Sequence, residues 1–231
     1  MTLVVSSSDG VTTLTLDRPD SRNALTTELL SQLRTALVTI GDDPDARVVV
    51  LTGAGSAFCA GADLKEFPPG TPPRLTLARI RLVTAVIASV RALEQPTIAA
   101  VNGPASGAGW GLALACDLCF ACAEATFSLP EVRKGLRLPT AIVNRLVEVV
   151  GPIRAAEIAF GGDTYSVDQA VAAGWVSESM PDAPALAKHT TDFARELATR
   201  PRSAVSTVKQ VLRRSSPGQL TPPPEYSWNE E

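Results

Sequence analysis

Histidine is almost absent from this chain, with one residue, His189, among 231. It falls in a helical segment outside every glycine-rich or polar cluster, so it reads as a packing or solvated residue rather than a catalytic one. Positive charge is not in excess either. Lys and Arg number 21 against 24 Asp and Glu, and the net charge of −3 removes the electrostatic case for nucleic acid or an anionic membrane surface as partner. No apolar run reaches the ~20 residues a membrane span needs, and Met1 to Gly10 lacks an export signal's apolar stretch. A cytoplasmic location is therefore expected. Cysteines number four. Cys116-x-x-Cys119-x-x-Cys122 has no second ligand pair to complete a metal site and lies in an apolar helix-to-strand segment. Buried free thiols are expected there, with Cys59, and no metal. A phosphate-binding lysine is also missing. Gly107-x-Gly109-x-Gly111 has the wrong spacing for a dinucleotide fingerprint, and no Lys-Ser/Thr follows it.

What is present is an ordinary globular composition, 45% hydrophobic and 19% charged, long enough to bury a core. Its organising stretch begins with the apolar strand Thr97 to Val101. Asn102 to Gly111 then leads through spaced glycines into the helix formers Leu112 to Cys116. Strand, glycine turn, helix start leaves free backbone N–H groups where the helix dipole favours negative charge. Two readings of it stand: a tight turn that needs small residues for packing, or a seat for a phosphate or a carbonyl oxyanion. A second loop of the same make, Gly53 to Lys65, follows a second apolar strand, Arg47 to Thr52. Two such loops after two buried strands have the composition of a two-donor oxyanion hole.

Along the rest of the chain, Leu3 to Ser6 and Val11 to Leu16 form a hairpin. Thr26 caps a helix with Leu29, Leu30, Leu33, Leu37 and Ile40 on one face, stopped by Gly41. Phe67 to Arg74 is a proline-rich connection before a helix from Leu75 to Leu93. Leu118 to Ala121 and Ala125 to Ser128 are short strands. Pro139 stands in the first turn of a helix ending at Gly151, and Pro152 to Phe160 makes another. Ser166 and Gln169 form a capping box, and helices run from Pro184 to Thr199 and from Ser203 to Arg214. The expected organisation is one α/β domain over 1–214, with its core to about 183 and a helical part over 184–214. A proline-rich tail covers 215–231.

Ser56 to Lys65, Ala100 to Gly109 and Ala125 to Glu131 resemble the three signatures of the crotonase (enoyl-CoA hydratase/isomerase) superfamily. Asp17-Arg18-Pro19 with Asn23-Ala24-Leu25 resembles its N-terminal motif, and Gly162-Asp163 to Val176 its later segment. The resemblance spans roughly residues 3 to 214. It implies a crotonase-like spiral of ββα turns, a homotrimer or dimer of trimers, and acyl-CoA thioesters as substrates with no separate cofactor. Residue by residue, it places the oxyanion-hole amides on Ala62 and Ala108 and the acid/base on Glu131. It places substrate contacts at Arg22, Ala24, Ala60, Asp63, Leu64, Gly107, Gly111 and Pro130, with Asp63 equally readable as a helix cap.

Two departures from the family pattern bear on the reaction and the assembly. The second glutamate of the hydratases falls on Gly111, where no carboxylate exists, and the aspartate of one isomerase branch falls near Pro139. A one-carboxylate member is chemically sufficient for double-bond isomerisation. The alternatives are a hydratase or dehydratase that holds its water by another group, and a non-catalytic acyl-CoA-binding homologue. Pro217 and Pro222 to Pro224 interrupt the helical C-terminus usual in the family, which bears on the lid and the assembly.

Overall fold

The computed structural model describes residues 2–66, 68, 71 and 73–214. The chain opens with the antiparallel hairpin β1 (Leu3–Ser8) and β2 (Val11–Leu16), turned at Asp9-Gly10 with both residues at positive φ. Helix α1 (Thr27–Asp42) starts where the Thr26 hydroxyl accepts the Leu29 amide, and its buried residues are the five the periodicity predicts. It passes through Gly41 and ends one residue later, because one glycine weakens a helix without breaking it.

Next come β3 (Val48–Gly53), α2 (Pro73–Ala92), β4 (Thr97–Val101), β5 (Ala105–Ser106), α3 (Ala108–Ala115), β6 (Leu118–Cys122) and β7 (Thr126–Ser128). The chain finishes with α4 (Thr140–Gly161), β8 (Thr164–Ser166), α5 (Val167–Ala172), β9 (Glu178–Met180), α6 (Ala183–Ala198) and α7 (Arg202–Arg214). One six-stranded sheet has the order β1-β2-β3-β4-β6-β9, parallel from β2 onward, and a three-stranded sheet has the order β5-β7-β8. Because β3 and β4 are parallel neighbours, with Thr52 opposite Ala100, the loops that leave them emerge at the same sheet edge. That register brings the two glycine-rich loops together.

Pro139 precedes α4 rather than entering its first turn: its ψ of 131° is extended, and the helix begins at Thr140. Gly151, at φ 77° and ψ 164°, breaks α4 into the two helices expected on either side of Pro152. The Ser166–Gln169 capping box is present in full. Helix α7 is tied back by Lys209, which reaches the Gln95 carbonyl and the Asp117 carboxylate, each at 2.6 Å. The tail over 215–231 lies outside the described residues, as do residues 67, 69, 70 and 72 of the proline-rich connection, whose last two residues instead start α2.

All four cysteines are free and buried. Burial pushes the Cys59 and Cys116 thiols up to about 12, so they behave as apolar filling. His189 packs edge-on against Phe120 at 4.7 Å between ring centroids and stands 3.5 Å from Glu178. Trp110 is 1% exposed in an aromatic cluster with Phe127, Tyr165 and Trp175. Among the described residues, no helix is long and apolar enough to cross a membrane.

Candidate active site

The first glycine-rich loop is pinned on its inner edge. The Leu25 amide donates to the Gly61 carbonyl at 2.7 Å, and the Asp63 amide donates to the Leu25 carbonyl at 3.0 Å. In such a parallel bridge the residue between the two bonded neighbours turns its own N–H to the other edge. That residue is Ala62, which is exposed and lines a cavity of about 500 Å³.

The second loop delivers its amide differently. The Gly107 amide donates to the Ser128 carbonyl at 2.8 Å, while Ala108 is the first residue of α3 and so has no partner in the preceding turn. No protein group among the described residues accepts either the Ala62 or the Ala108 amide. The two amides are neighbours. A Cβ on Gly61 would stand 2.5 Å from the Ser106 carbonyl oxygen and 3.3 Å from the Ala108 nitrogen, so only glycine lets the loops approach this closely.

Glu131 completes the group. Gly107, with φ at 54°, has no side chain to separate it from the Glu131 carboxylate, which lies directly over its α-carbon. Glu131 is half-buried, and its Oε2 has no hydrogen-bond partner. Burial pushes its carboxyl above the usual carboxylate range, opposed by a backbone hydrogen bond and by the nearby Lys134. A carboxylate with one unpartnered oxygen at the mouth of a buried helix start, beside two free amides, can take a proton from a group whose oxygen the amides hold.

The cavity walls come from the Ala60–Leu64 loop, the Ser106–Ala108 loop, one face of α2 with Arg79, Ile80 and Val83, and the segment from Pro130 to Pro139, with Pro68 and Thr71 also on the lining. Glu131 is the one carboxylate among its described lining residues. Arg79 is 8% exposed, and its charge is met by Glu66 at 3.0 Å, which also accepts the Thr27 amide and hydroxyl. A second cavity of about 200 Å³, between β1 to β4 and α6, shares no residue with this one.

Of the expected site residues, Ala60, Ala62, Leu64, Gly107, Ala108, Pro130 and Glu131 line the cavity. Four do not. Gly111 lies in the core, where a Cβ would meet Ile142 Cδ1 at 2.6 Å and Ile87 Cδ1 at 3.4 Å, so it offers nothing to a ligand. Asp63 is 7% exposed, its carboxylate 2.9 Å from Arg18 and accepting the Lys65 amide at 3.1 Å. Burial alone would raise that carboxyl, but Arg18 and the Lys65 amide hold it below the usual range. Of its two readings, the cap fits: it locks the loop. The Ala24 carbonyl accepts the Arg18 guanidinium, and the Arg22 carbonyl accepts the Ala60 amide at 2.9 Å, so both brace the loop from behind. The α2 face and the cations Lys134 and Arg137 were not expected at the site. Nothing in their local pattern sets them apart from a solvated helix face or a charged turn.

The family model described as Enoyl-CoA hydratase/isomerase matches residues 6–222. The chain is 38% identical over 214 residues to the 2,3-dehydroadipyl-CoA hydratase of Escherichia coli (strain K12), covering 92% of this chain and 82% of that one. It is 35% identical over 214 residues to the 1,2-epoxyphenylacetyl-CoA isomerase of the same organism, covering 91% and 81%. A crystal structure of an enoyl-CoA hydratase from Bacillus anthracis superposes with a TM-score of 0.88 at 33% identity, covering 92% of this chain and 83% of that one.

Proposed function

The chain belongs to the enoyl-CoA hydratase/isomerase family, and from that premise we propose that it shifts the double bond of an enoyl-CoA thioester, with Glu131 as its single acid/base. The thioester carbonyl accepts the Ala62 and Ala108 amides. Glu131 removes a proton from C2, the amides stabilise the dienolate oxygen, and Glu131 returns the proton to C4 on the same face. Removing one such amide donor costs roughly 10²–10³ in rate, so the loop geometry carries a large share of the acceleration. The observation that carries this reading is that Glu131 is the one carboxylate among the described lining residues and has an unpartnered oxygen over Gly107.

A second reading, hydration, is favoured by the relatives named hydratases. It requires a water held by something other than a second carboxylate, because position 111 is glycine and faces Ile142. A non-catalytic acyl-CoA-binding protein is the third. The nucleotide end of coenzyme A leaves past Ala60, and the protein assembles as a homotrimer or a dimer of trimers. Four unpaired thiols suit a reducing compartment such as the cytoplasm.

Glu131→Gln tests the core of the proposal. The variant is expected to keep acyl-CoA binding by calorimetry while α-proton exchange in deuterated water falls by at least about 10²-fold. Unchanged exchange would remove Glu131 from the mechanism. A wild-type protein that binds acyl-CoA esters but exchanges none of them would be the non-catalytic homologue.

A further inference from the structure

Two cations on the cavity wall are left over once the proposed chemistry has been assigned. The segment after Glu131 forms a short 3-10 turn, Val132–Lys134, closed by Gly135 and continued through Leu136 to Pro139. It carries three basic residues. Arg133 is paired with Asp163 outside the cavity. Lys134 and Arg137 line the cavity, and neither has an ion-pair partner among the described residues. Arg79, the remaining basic residue of the lining, is neutralised by Glu66. With Glu131 the single anion, the lining has a surplus of positive charge on one wall.

The order of atoms in a thioester locates that wall. With the carbonyl at Ala62 and Ala108 and C2 at Glu131, the acyl chain continues beyond Glu131, along the wall built by 132–139. The nucleotide phosphates run the opposite way, past Ala60. A plain hydrocarbon tail would find apolar contacts with Leu64, Ile80, Val83 and Leu136 but nothing for the two cations. We propose that the acyl group taken by this cavity ends in a carboxylate, held by Lys134 and Arg137. The inference rests on the acyl-CoA reading above and narrows it to CoA esters of dicarboxylic acids. Specificity then comes from charge at the tail and leaves the chemistry at C2 unchanged.

The test compares affinities for CoA esters in pairs of equal chain length, one methyl-ended and one carboxylate-ended: butyryl with succinyl, hexanoyl with adipyl, octanoyl with suberyl. Free coenzyme A serves as the control. At one length or more the carboxylate-ended ester is expected to bind about tenfold more tightly, the scale of a hydrogen bond to a charged group. Added salt should narrow the ratio, because the cations are exposed. In the Lys134→Gln/Arg137→Gln double variant the ratio should fall to near one. A wild-type ratio near one at every length overturns the proposal while leaving acyl-CoA binding intact. A double variant that loses free coenzyme A as strongly as the carboxylate-ended ester also overturns it, since the two cations would then be holding phosphates. If no CoA ester binds at all, the acyl-CoA reading itself falls.

Discussion

At the scale of single residues, the site is defined by what glycine leaves open and what isoleucine closes. Gly107 admits the Glu131 carboxylate, whereas Gly111 is occupied from outside by Ile142, which is fully buried. A Gly111→Glu change therefore does not simply restore a second acid. It forces a charged side chain against Ile142 Cδ1 and Cγ1, which lie 2.6 and 2.7 Å from the new Cβ position. It is expected to cost about 2–4 kcal/mol by overpacking and charge burial. Adding Ile142→Ala should recover about 1–2 kcal/mol of that in a double-mutant cycle, and crotonyl-CoA hydration should rise in the double variant alone. Additive losses in thermal unfolding would show that the two positions do not compete for one space. Glu131 gives a second expectation, with a pH sign. Its carboxyl is raised by burial, so the folded protein holds the proton more tightly than the unfolded chain does. Stability from this group is full below the ordinary carboxylate range and declines as pH rises through the interval up to the raised value. Glu131→Gln, which cannot ionise, should therefore have a higher Tm than wild type near neutral pH and no advantage in acid. An advantage that grew as pH fell would contradict the assigned environment.

At the scale of elements, the sequence was most informative where a pattern runs long enough to be periodic. The leucine stripe of α1, the apolar β3 and β4, and the capping box of α5 were all legible because each is held by local chemistry. The strands β5, β8 and β9 were not, because two or three residues carry no period and exist only through their partners. The docking of α7 was equally hidden. Its anchor is Lys209, 5% exposed, and burial lowers its ammonium while Asp117 opposes the shift. Asp117 is fixed in turn by the Thr97 amide and hydroxyl, both at 2.8 Å. Lys209→Met keeps the stem and removes the charge, leaving the Gln95 carbonyl without its Lys209 donor and Asp117 with its Thr97 contacts but no counter-charge from α7. A loss of about 1–3 kcal/mol is expected, the cost of leaving the buried Gln95 carbonyl unpaired and losing the charge-assisted bond to Asp117. Hydrogen exchange should rise across 202–214 ahead of the sheet. Uniform protection across the whole chain in the variant would mean that the helix is held by its apolar face instead.

At the scale of the whole molecule, the two glycine-rich loops and Glu131 that line the cavity were legible, but its other walls were not. Two glycine-rich loops after two apolar strands were visible as a pair, and the parallel register of β3 and β4 explains why they converge. The opposite wall joins α2 to the segment after Glu131, residues more than fifty positions apart with no shared motif, so only the fold could assemble it. The same scale governs assembly. Several large apolar side chains stand in solvent: Ile153 is 87% exposed and Phe160 76%, both on the second half of α4. A monomer tolerates scattered apolar residues, but two this large on one short helical piece mark a surface that association would cover. Light scattering is expected to report a trimer or a pair of trimers for the wild-type chain. Ile153→Asp with Phe160→Asp should reduce the mass toward that of the monomer, because each carboxylate would lose its hydration in a closed interface. Neither residue lines the cavity or packs in the core, so the variant chain should keep its far-ultraviolet circular dichroism. A wild-type protein that is monomeric at every concentration would refute the assembly. An unchanged mass in the double variant would move the interface to another face.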